Sequence, residues 1–516
     1  MSLIRASGTI GALTLVSRVL GMVRDMLVAR YLGAGLASDA FLIAWRLPNL
    51  FRALFAEGAF SAVFVPMFNR TMAEADGQDP GSGKAAAVLF AGQVLSVLFP
   101  FLVIFTVIMM IFAAQIVWAM TGGFPDGGPE KFALAVDLTR ITFPYLALIS
   151  IVSLLGGILN SLDRFWVNAA APILLNICMI VAVLFFRGET PVETSYTQAV
   201  AVTVSGVMQL LWLMWACARE GAVLWPRVPR LTPRVKQMLV LILPAALGQG
   251  AIQFNLLIST SLAARYLQQG AVSYLYYADR LNQLPLGLIG IGVGTAILPA
   301  LSRQIGSGNE GAAKETQNRA IELALFLSLP AAVALCVAAT PLIRGLLQHG
   351  VFTAQDTIGA ASALAVFALG VPAYVLIKVL TPGFYARQDT KTPVRVALFS
   401  MLFNLVGNLV LIWPLGHVGV AAATAFSAWV NVLILYWLLH RGDHLQADAR
   451  LLSRGARIIA ASAVMGVALW FMGPFSDRYM AGSFLTRVIA LSLLCGGGAL
   501  VYAGAIFGLG AYRLSE

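Results

Sequence analysis

The feature that most restricts what this chain can fold into is the succession of apolar stretches, each about twenty residues long, broken by short segments carrying Gly, Pro and charge. Such stretches have membrane-spanning length. In lipid they must be helices, since a helix satisfies its own backbone groups without closing a barrel. Composition agrees: 59% of the 516 residues are apolar, 11% are charged and the mean hydropathy is +0.84, an excess that no soluble core absorbs. The breaks place spans near 8–32, 38–68, 86–120, 131–160, 166–186, 195–218, 236–266, 271–302, 315–339, 357–386, 392–413, 418–439, 452–473 and 484–510. The expected fold is therefore all-α and integral to the membrane, with about fourteen transmembrane helices.

The formal net charge of +11 does not point to nucleic acid, because Lys and Arg fall mostly in loops between spans rather than on one polar face. One alternating set of loops holds Arg70, Lys84, Arg164, Arg219, Arg227, Arg230, Arg234, Lys236, Arg303, Lys314, Arg387, Lys391, Arg395, Arg441, Arg450, Arg454 and Arg457. The other set holds Lys131, Arg187, Arg265, Arg344, Arg478 and Arg487. Since cytoplasmic loops collect basic residues, both termini are expected in the cytoplasm. Arg18 interrupts the first apolar run and no small-residue cleavage signal follows, so that run reads as a span rather than a removable leader. The segment 341–356, with Arg344 and His349, is expected on the outer surface. Cys178, Cys217, Cys336 and Cys495 lie within apolar stretches without metal or disulfide spacing and read as inert core residues.

The chain also resembles itself. Ala29-Arg30-Tyr31-Leu32 recurs as Ala264-Arg265-Tyr266-Leu267, and Gly35 and Ser38 recur in register as Gly270 and Ser273. Ala44-x-Arg46-Leu47 returns as Ala278-x-Arg280-Leu281, Pro66 to Arg70 as Pro299 to Arg303, and Pro144 and Asn176 as Pro372 and Asn404. Six spans separate the copies, so both run the same way through the membrane and are related by an axis along its normal. This predicts two parallel six-helix lobes, residues 1–220 and 221–440, around a central cavity, with alternating access by rocking of one lobe against the other. Two additional helices, in 441–516, fall outside the repeat.

Charges inside the spans mark the function. Arg18 lies about ten residues into the first span, about 15 Å deep, where a guanidinium costs at least about 2.5–3.5 kcal/mol. Asp25 shares its face, seven residues being nearly two turns, and Arg24 precedes it. The second span carries Asp39, Arg46, Arg52 and Glu57, and the matching span of the second half carries Asp279 and Arg280. Where the first half has Arg18, Arg24 and Arg52, the second has Gln253, Ser259 and Leu286. One reading makes these arginines snorkelling or structurally paired groups, and it suits Arg30, Arg46 and Arg265. For Arg18, Arg24, Arg52 and Arg280 the functional reading is preferred, because intramembrane ionisable residues mark substrate pathways. The planar fork of arginine binds two phosphate oxygens at once, which predicts an anionic, phosphate-bearing substrate.

Several motifs then carry a family resemblance. Ser17-Arg18-Val19-Leu20-Gly21 with Arg24-Asp25, Gly33-Ala34-Gly35 to Ser38-Asp39-Ala40-Phe41, Leu47-Pro48-Asn49-Leu50 with Arg52, and Phe55-Ala56-Glu57-Gly58-Ala59-Phe60-Ser61 resemble the MurJ (MviN) lipid II flippases. So do Phe64-Val65-Pro66, Tyr276-Tyr277-Ala278-Asp279-Arg280-Leu281 and the run from Pro382 to Pro393. The resemblance implies the multidrug/oligosaccharidyl-lipid/polysaccharide exporter fold, a cationic cavity, and a lipid-tail groove on the last two helices. It implies transport of undecaprenyl-diphosphate-linked peptidoglycan precursor across the bacterial cytoplasmic membrane, for cell-wall synthesis and cell shape. It places the substrate-binding arginines on Arg18, Arg24, Arg52 and Arg280, and supporting groups on Asp25, Asp39, Glu57, Asp279, Asn49 and Ser273. Membrane lipids and other cell-wall synthesis and division proteins are the further partners it implies. Gln283 departs from the acid present in some relatives.

The competing readings are a cation-coupled drug exporter of the same fold, a flippase for another polyprenyl-diphosphate glycan, and a membrane-embedded enzyme acting on polyprenyl diphosphate. An arginine-lined cavity would repel cationic drugs, and an enzyme would need catalytic groups. Gly77 to Lys84 lacks P-loop spacing and reads as a flexible loop. His440 and His444 lack the metalloprotease glutamate. No cofactor, metal or ATP is expected, which leaves an ion gradient or the membrane potential as the energy source. Gln249, Gln253, Asn255, Asn404, Asn408 and Thr424 could compose an ion site, but polar residues in spans more often bond across helices.

Overall fold

A computed structural model describes residues 3–55, 59–225, 228–480 and 482–512, which form nineteen helices and no strand. In order these are α1 (Leu3–Leu32), α2 (Leu36–Phe55), α3 (Ala59–Gln78), α4 (Gly83–Ile111), α5 (Ala113–Thr121), α6 (Gly128–Thr142), α7 (Pro144–Ser161), α8 (Phe165–Phe185), α9 (Pro191–Arg219) and α10 (Pro233–Tyr266). There follow α11 (Ala271–Gly306), α12 (Glu310–Val337), α13 (Ala339–Leu347), α14 (Ala354–Ala368), α15 (Val371–Tyr385), α16 (Lys391–Leu415), α17 (His417–Arg441), α18 (Ala449–Asp477) and α19 (Phe484–Gly508). The count exceeds that of the apolar stretches because several are broken in the middle. The stretch near 131–160 is α6 and α7, divided at Phe143, which keeps helical geometry (φ −60°, ψ −37°) while the following Pro144 brings no backbone N–H to the hydrogen-bond ladder. The stretch near 86–120 breaks at Phe112 (φ −90°, ψ 17°), and the corresponding one in the second half breaks at Ala338 (φ −94°, ψ 17°). Each of these breaks is followed by a nine-residue helix, α5 and α13. The helix order thus runs twice in one pattern, as the sequence repeat requires.

Among the described residues, ten helical segments are long and apolar enough to cross a membrane by length and composition alone. They are α4, α6 with α7, α8, α9, α12, α14 with α15, α16, α17, α18 and α19. The charge-bearing α1 and α2 are not in that group.

Packing divides the chain into two compact units, Met1–Gly270 and Ala271–Glu516. In the first, α1 lies on α8 and α9, α2 on α6, and α3 on α4 and α7. The buried Phe60 and Phe90 rings stack on Phe64, and Phe68 tilts against it. The helix α10, which opens the second sequence repeat, packs in this unit against α2, α3, α4 and α5. Repeat and packing therefore partition the chain at different points. In the second unit a core formed by α11, α12, α15 and α17 includes Leu301, Ile321, Val375, Val379 and Leu435. A separate cluster around Ile458, Met465, Leu469, Leu494 and Ile506 joins α18 and α19 to α12 and α13.

Two loops are more ordered than their sequence suggests. Asp76 Oδ1 accepts from the backbone N–H groups of Gly81 (3.2 Å) and Gly83 (2.7 Å), so the segment expected to be flexible is a pinned turn. Lys314 donates to Asp443 at 2.9 Å and holds that carboxyl below the ordinary carboxylate range. Within 341–356, Thr353 and Asp356 cap α14 reciprocally, and Arg344 pairs with Asp477 at 3.1 Å.

Candidate functional site

Arginine is too strongly hydrated to enter an apolar helix bundle alone, so its neighbours reveal its purpose. Arg24, 5% exposed, is held on three sides. Its Nε and Nη2 donate to Asp25 Oδ1 at 3.0 and 2.7 Å, and Nη1 donates to Asn176 Oδ1 on α8 at 3.0 Å. The Trp45 ring of α2 lies 5.2 Å from the guanidinium carbon, within cation–π range. Asn176 turns its other end to α1, donating from Nδ2 to the Ser17 carbonyl at 2.9 Å. One amide therefore joins α8 to α1 across both Ser17 and Arg24. Arg18, one and a half turns earlier, is half-buried and has no hydrogen bond or ion pair among the described residues. Arg24 is thus fixed by the protein, whereas Arg18 on the same helix is not.

Arg52 at the end of α2 donates from Nε to Asn49 Oδ1 at 2.9 Å, so the sequence-predicted Asn49 supports that arginine directly. Glu57 lies outside the described residues. Asp39 is buried among other partners: Oδ2 accepts from Lys131 Nζ at 2.9 Å and from the Gly270 N–H at 2.8 Å. Lys131, which reads as a loop residue in the sequence, is 1% exposed; it also pairs with Asp126 at 2.9 Å and lies over the Phe124 ring. Gly270 has φ +94°, a conformation that a side chain would oppose, and this turns its N–H onto Asp39. The group has the form of a buried structural ion cluster.

In the second unit, Arg280 lies 4.9 Å from the ring centre of Tyr276, one turn away on α11. Asp279 accepts from Gln283 Nε2 at 2.5 Å, so the residue that departs from the family pattern is tied to the neighbouring acid. Ser273 is fully buried near the start of α11. The arginines given a structural reading have such partners: Arg46 donates to the Leu256 carbonyl at 2.9 Å, and Arg30 and Arg265 lie over Tyr31 and Trp118.

The repeat also shows where the halves diverge. Asn404, the counterpart of Asn176, donates to Thr424 Oγ1 at 3.2 Å and accepts from Asn408 Nδ2 at 2.9 Å, binding α16 to α17. Among the described residues no group of His, Cys, Asp and Glu is disposed to hold a metal ion. His440 instead faces the Leu445 carbonyl at 3.2 Å.

The family model described as Lipid II flippase MurJ matches residues 28–490. The chain belongs to this family. A probable lipid II flippase MurJ of Rhizobium meliloti is 41% identical over 524 residues, covering 100% of this chain and 95% of the relative. The lipid II flippase MurJ of Burkholderia cenocepacia is 35% identical, covering 99% of this chain and 97% of its own length. Among solved structures, a lipid II flippase MurJ in an inward closed conformation superposes with a TM-score of 0.76 at 24% identity, covering 96% of this chain and 97% of that one. An inward-facing multidrug resistance MATE family transporter of the MOP superfamily gives 0.66 at 17% identity, covering 84% and 97%. The transporter fold expected from the repeat and the motifs is thus the fold of the family.

Proposed function

We infer that this protein is a lipid II flippase, moving undecaprenyl-diphosphate-linked peptidoglycan precursor from the cytoplasmic to the outer leaflet of the bacterial inner membrane. It is a multi-pass transporter and not an enzyme. The observation that supports the site assignment best is that Arg24 is fixed by Asp25, Asn176 and Trp45, while Arg18 on the same helix is half-buried with no hydrogen bond or ion pair among the described residues. Arg18, Arg24 and Arg52 in the first unit, and Arg280 in the second, are each forks able to present two donors to a phosphate group crossing an apolar medium. Asp25 limits repulsion while no ligand is bound and keeps Arg24 oriented. Asn49 does the same for Arg52, and Asp279 lies beside Arg280 on α11. Asp39 and Ser273 support the helix starts that carry these groups, and Glu57 is assigned to the same supporting set.

We further propose that α1, α2 with α3, α10 and α11 complete fourteen crossings, with both termini cytoplasmic. The repeat lobes 1–220 and 221–440 alternate access, and 441–516 serves the polyprenyl tail. Support for the last role comes from α18 and α19, where Trp470, Phe471, Phe475, Leu485, Leu493 and Leu500 are exposed, an apolar face suited to an isoprenoid chain. Arg319 and Asn318 of α12 hold Asp448 and Gln446, at and before the start of α18.

The test is depletion of the protein in its host, followed by a leaflet-specific assay of lipid-linked precursor. Accumulation in the inner leaflet with lysis is the expected result. Undisturbed wall synthesis with loss of another glycan would overturn the substrate assignment and leave the fold untouched.

A further inference from the structure

We propose that a cavity where α8 begins and α9 ends holds an anionic phospholipid of the surrounding membrane by its phosphodiester, a role that the flippase reading neither requires nor supplies. The cavity measures about 390 Å³ and is lined by Arg164, Trp166, Trp215, Arg219 and Glu220, with apolar residues of α7, α8 and α9 completing it. Its charges do not cancel. Arg164 Nε donates to Glu220 Oε1 at 2.8 Å and makes no other hydrogen bond among the described residues. Arg219 has neither hydrogen bond nor ion pair among them, and its guanidinium carbon lies 5.1 Å from the Trp215 ring centre. One positive charge is left over, together with guanidinium N–H groups that have no acceptor. A phosphodiester brings one negative charge and two free oxygens, which matches that surplus.

The ordinary use of a basic residue at a helix C-terminus is to serve the last carbonyls. At α9 that is done without Arg219. The carbonyls of Ala216, Cys217 and Ala218 accept from the N–H groups of Glu220, Ala222 and Gly221 at 3.2, 2.9 and 3.0 Å, and Lys84 Nζ donates to the Glu220 carbonyl. The aromatic wall is fixed as well: Trp212 Nε1 donates to the Val167 carbonyl at 3.2 Å, Trp215 stacks on Trp212 at 5.2 Å, and Trp166 meets it edge-on at 5.9 Å. Indoles at one end of membrane-crossing helices sit at headgroup level. From Trp215 a stripe of half-exposed apolar residues, Leu211, Met208, Val204 and Val200, follows α9 at helical spacing. It runs about 22 Å along the axis, longer than the half-thickness of about 15 Å that one leaflet contributes to the hydrocarbon. An acyl chain can lie along that stripe while its phosphate occupies the cavity, and a soluble anion has no use for it.

The experiment titrates phosphatidylglycerol with brominated acyl chains into the full chain in neutral detergent and reads the quenching of tryptophan fluorescence, with brominated phosphatidylcholine for comparison. The parent should bind the anionic lipid about tenfold or more tighter than the zwitterionic one, and Arg219→Glu should lose that margin, the scale of one hydrogen bond to a charged group. Arg219→Gln should lose part of it. Arg230→Glu makes the same change of charge in the segment after α9, and Arg18→Ala disables the transport site; both should bind as the parent does. A melting temperature near the parent's shows that each variant is folded. A parent without preference, parent-like binding by Arg219→Glu, or an equal loss in Arg230→Glu overturns the site. Loss in Arg18→Ala overturns it too, because the lipid would then be held at the transport arginines. Displacement of the lipid by inorganic phosphate, at an ionic strength where chloride does not displace it, overturns the phospholipid as occupant in favour of a free anion.

Discussion

Arg18 and Arg24 share one helix but are built in opposite ways, and their alanine variants should separate accordingly. Arg18 has no protein partner among the described residues, so Arg18→Ala should abolish transport in a flipping assay while leaving the melting temperature near that of the parent. Arg24 is part of the scaffold as well as the site: its removal takes two bonds from a buried carboxylate and one from Asn176. Arg24→Ala should therefore lose transport and also about 1.5–3 kcal/mol of stability, the worth of hydrogen bonds to charged groups. Equal stability in the two variants would show that the Asp25–Asn176 frame does not depend on its arginine. Much of this was legible in sequence, because a charge in an apolar run is conspicuous at any register. Asn176 and Lys131 were not legible as site or support residues. An amide in a span has many uses, and nothing local distinguishes Asn176, which holds an arginine, from Asn404, which joins two helices. Lys131 sits near a loop in sequence and is buried only because Asp39 and Asp126 converge on it.

At the level of elements, the most concentrated polar structure fixes the last two helices to α12. Glu322, buried on α12, accepts from Arg454 at 2.9 Å and from Tyr512 at 2.8 Å, pairs with Arg319, and lies 3.6 Å from Arg450. Arg319 also reaches Asp448, which caps α18, and Asn318 donates to the Gln446 carbonyl at 2.8 Å. One carboxylate thus serves cations from α12 and α18 and a hydroxyl beyond α19. Removing it strands several of them, and breaking a buried pair from one side costs about 3–5 kcal/mol. Glu322→Ala should lower the melting temperature in detergent and open residues 442–448 to protease, whereas Glu322→Gln, which keeps two acceptor sites, should do so less. A protease pattern like that of the parent would show that apolar packing alone docks the pair. The sequence placed these two helices outside the repeat but could not show what ties them down, since the partners lie more than a hundred residues apart. Helix breaks were not legible: 131–160 reads as one span although it divides before Pro144, Phe112 breaks its helix within an unbroken apolar run, and Pro66 and Pro100 lie inside continuous helices.

For the whole molecule, the duplication and the basic loops make a single claim about orientation that can be read residue by residue. If cytoplasmic loops collect lysine and arginine, the turns after α3 and α11 lie inside, and those after α8 and α13 lie outside. Gln78, Ser307, Glu189 and Val351 are exposed positions in or beside those four turns. Single cysteines there, in a chain whose Cys178, Cys217, Cys336 and Cys495 have been replaced, should divide into two pairs. Glu189→Cys and Val351→Cys should react with a membrane-impermeant maleimide in intact spheroplasts, and Gln78→Cys and Ser307→Cys only after the membrane is opened. Gln78 and Ser307 are equivalent by the repeat, each at or just past the end of the helix that carries its copy of the Pro-to-Arg segment, so this outcome also tests the parallel arrangement. An antiparallel duplication would require Gln78 and Ser307 to label from opposite sides, because they follow corresponding helices of the two copies. Labelling of both from the same side, with Glu189 and Val351 from the other, requires an even number of crossings between the copies, which is the arrangement that alternating access by parallel lobes demands.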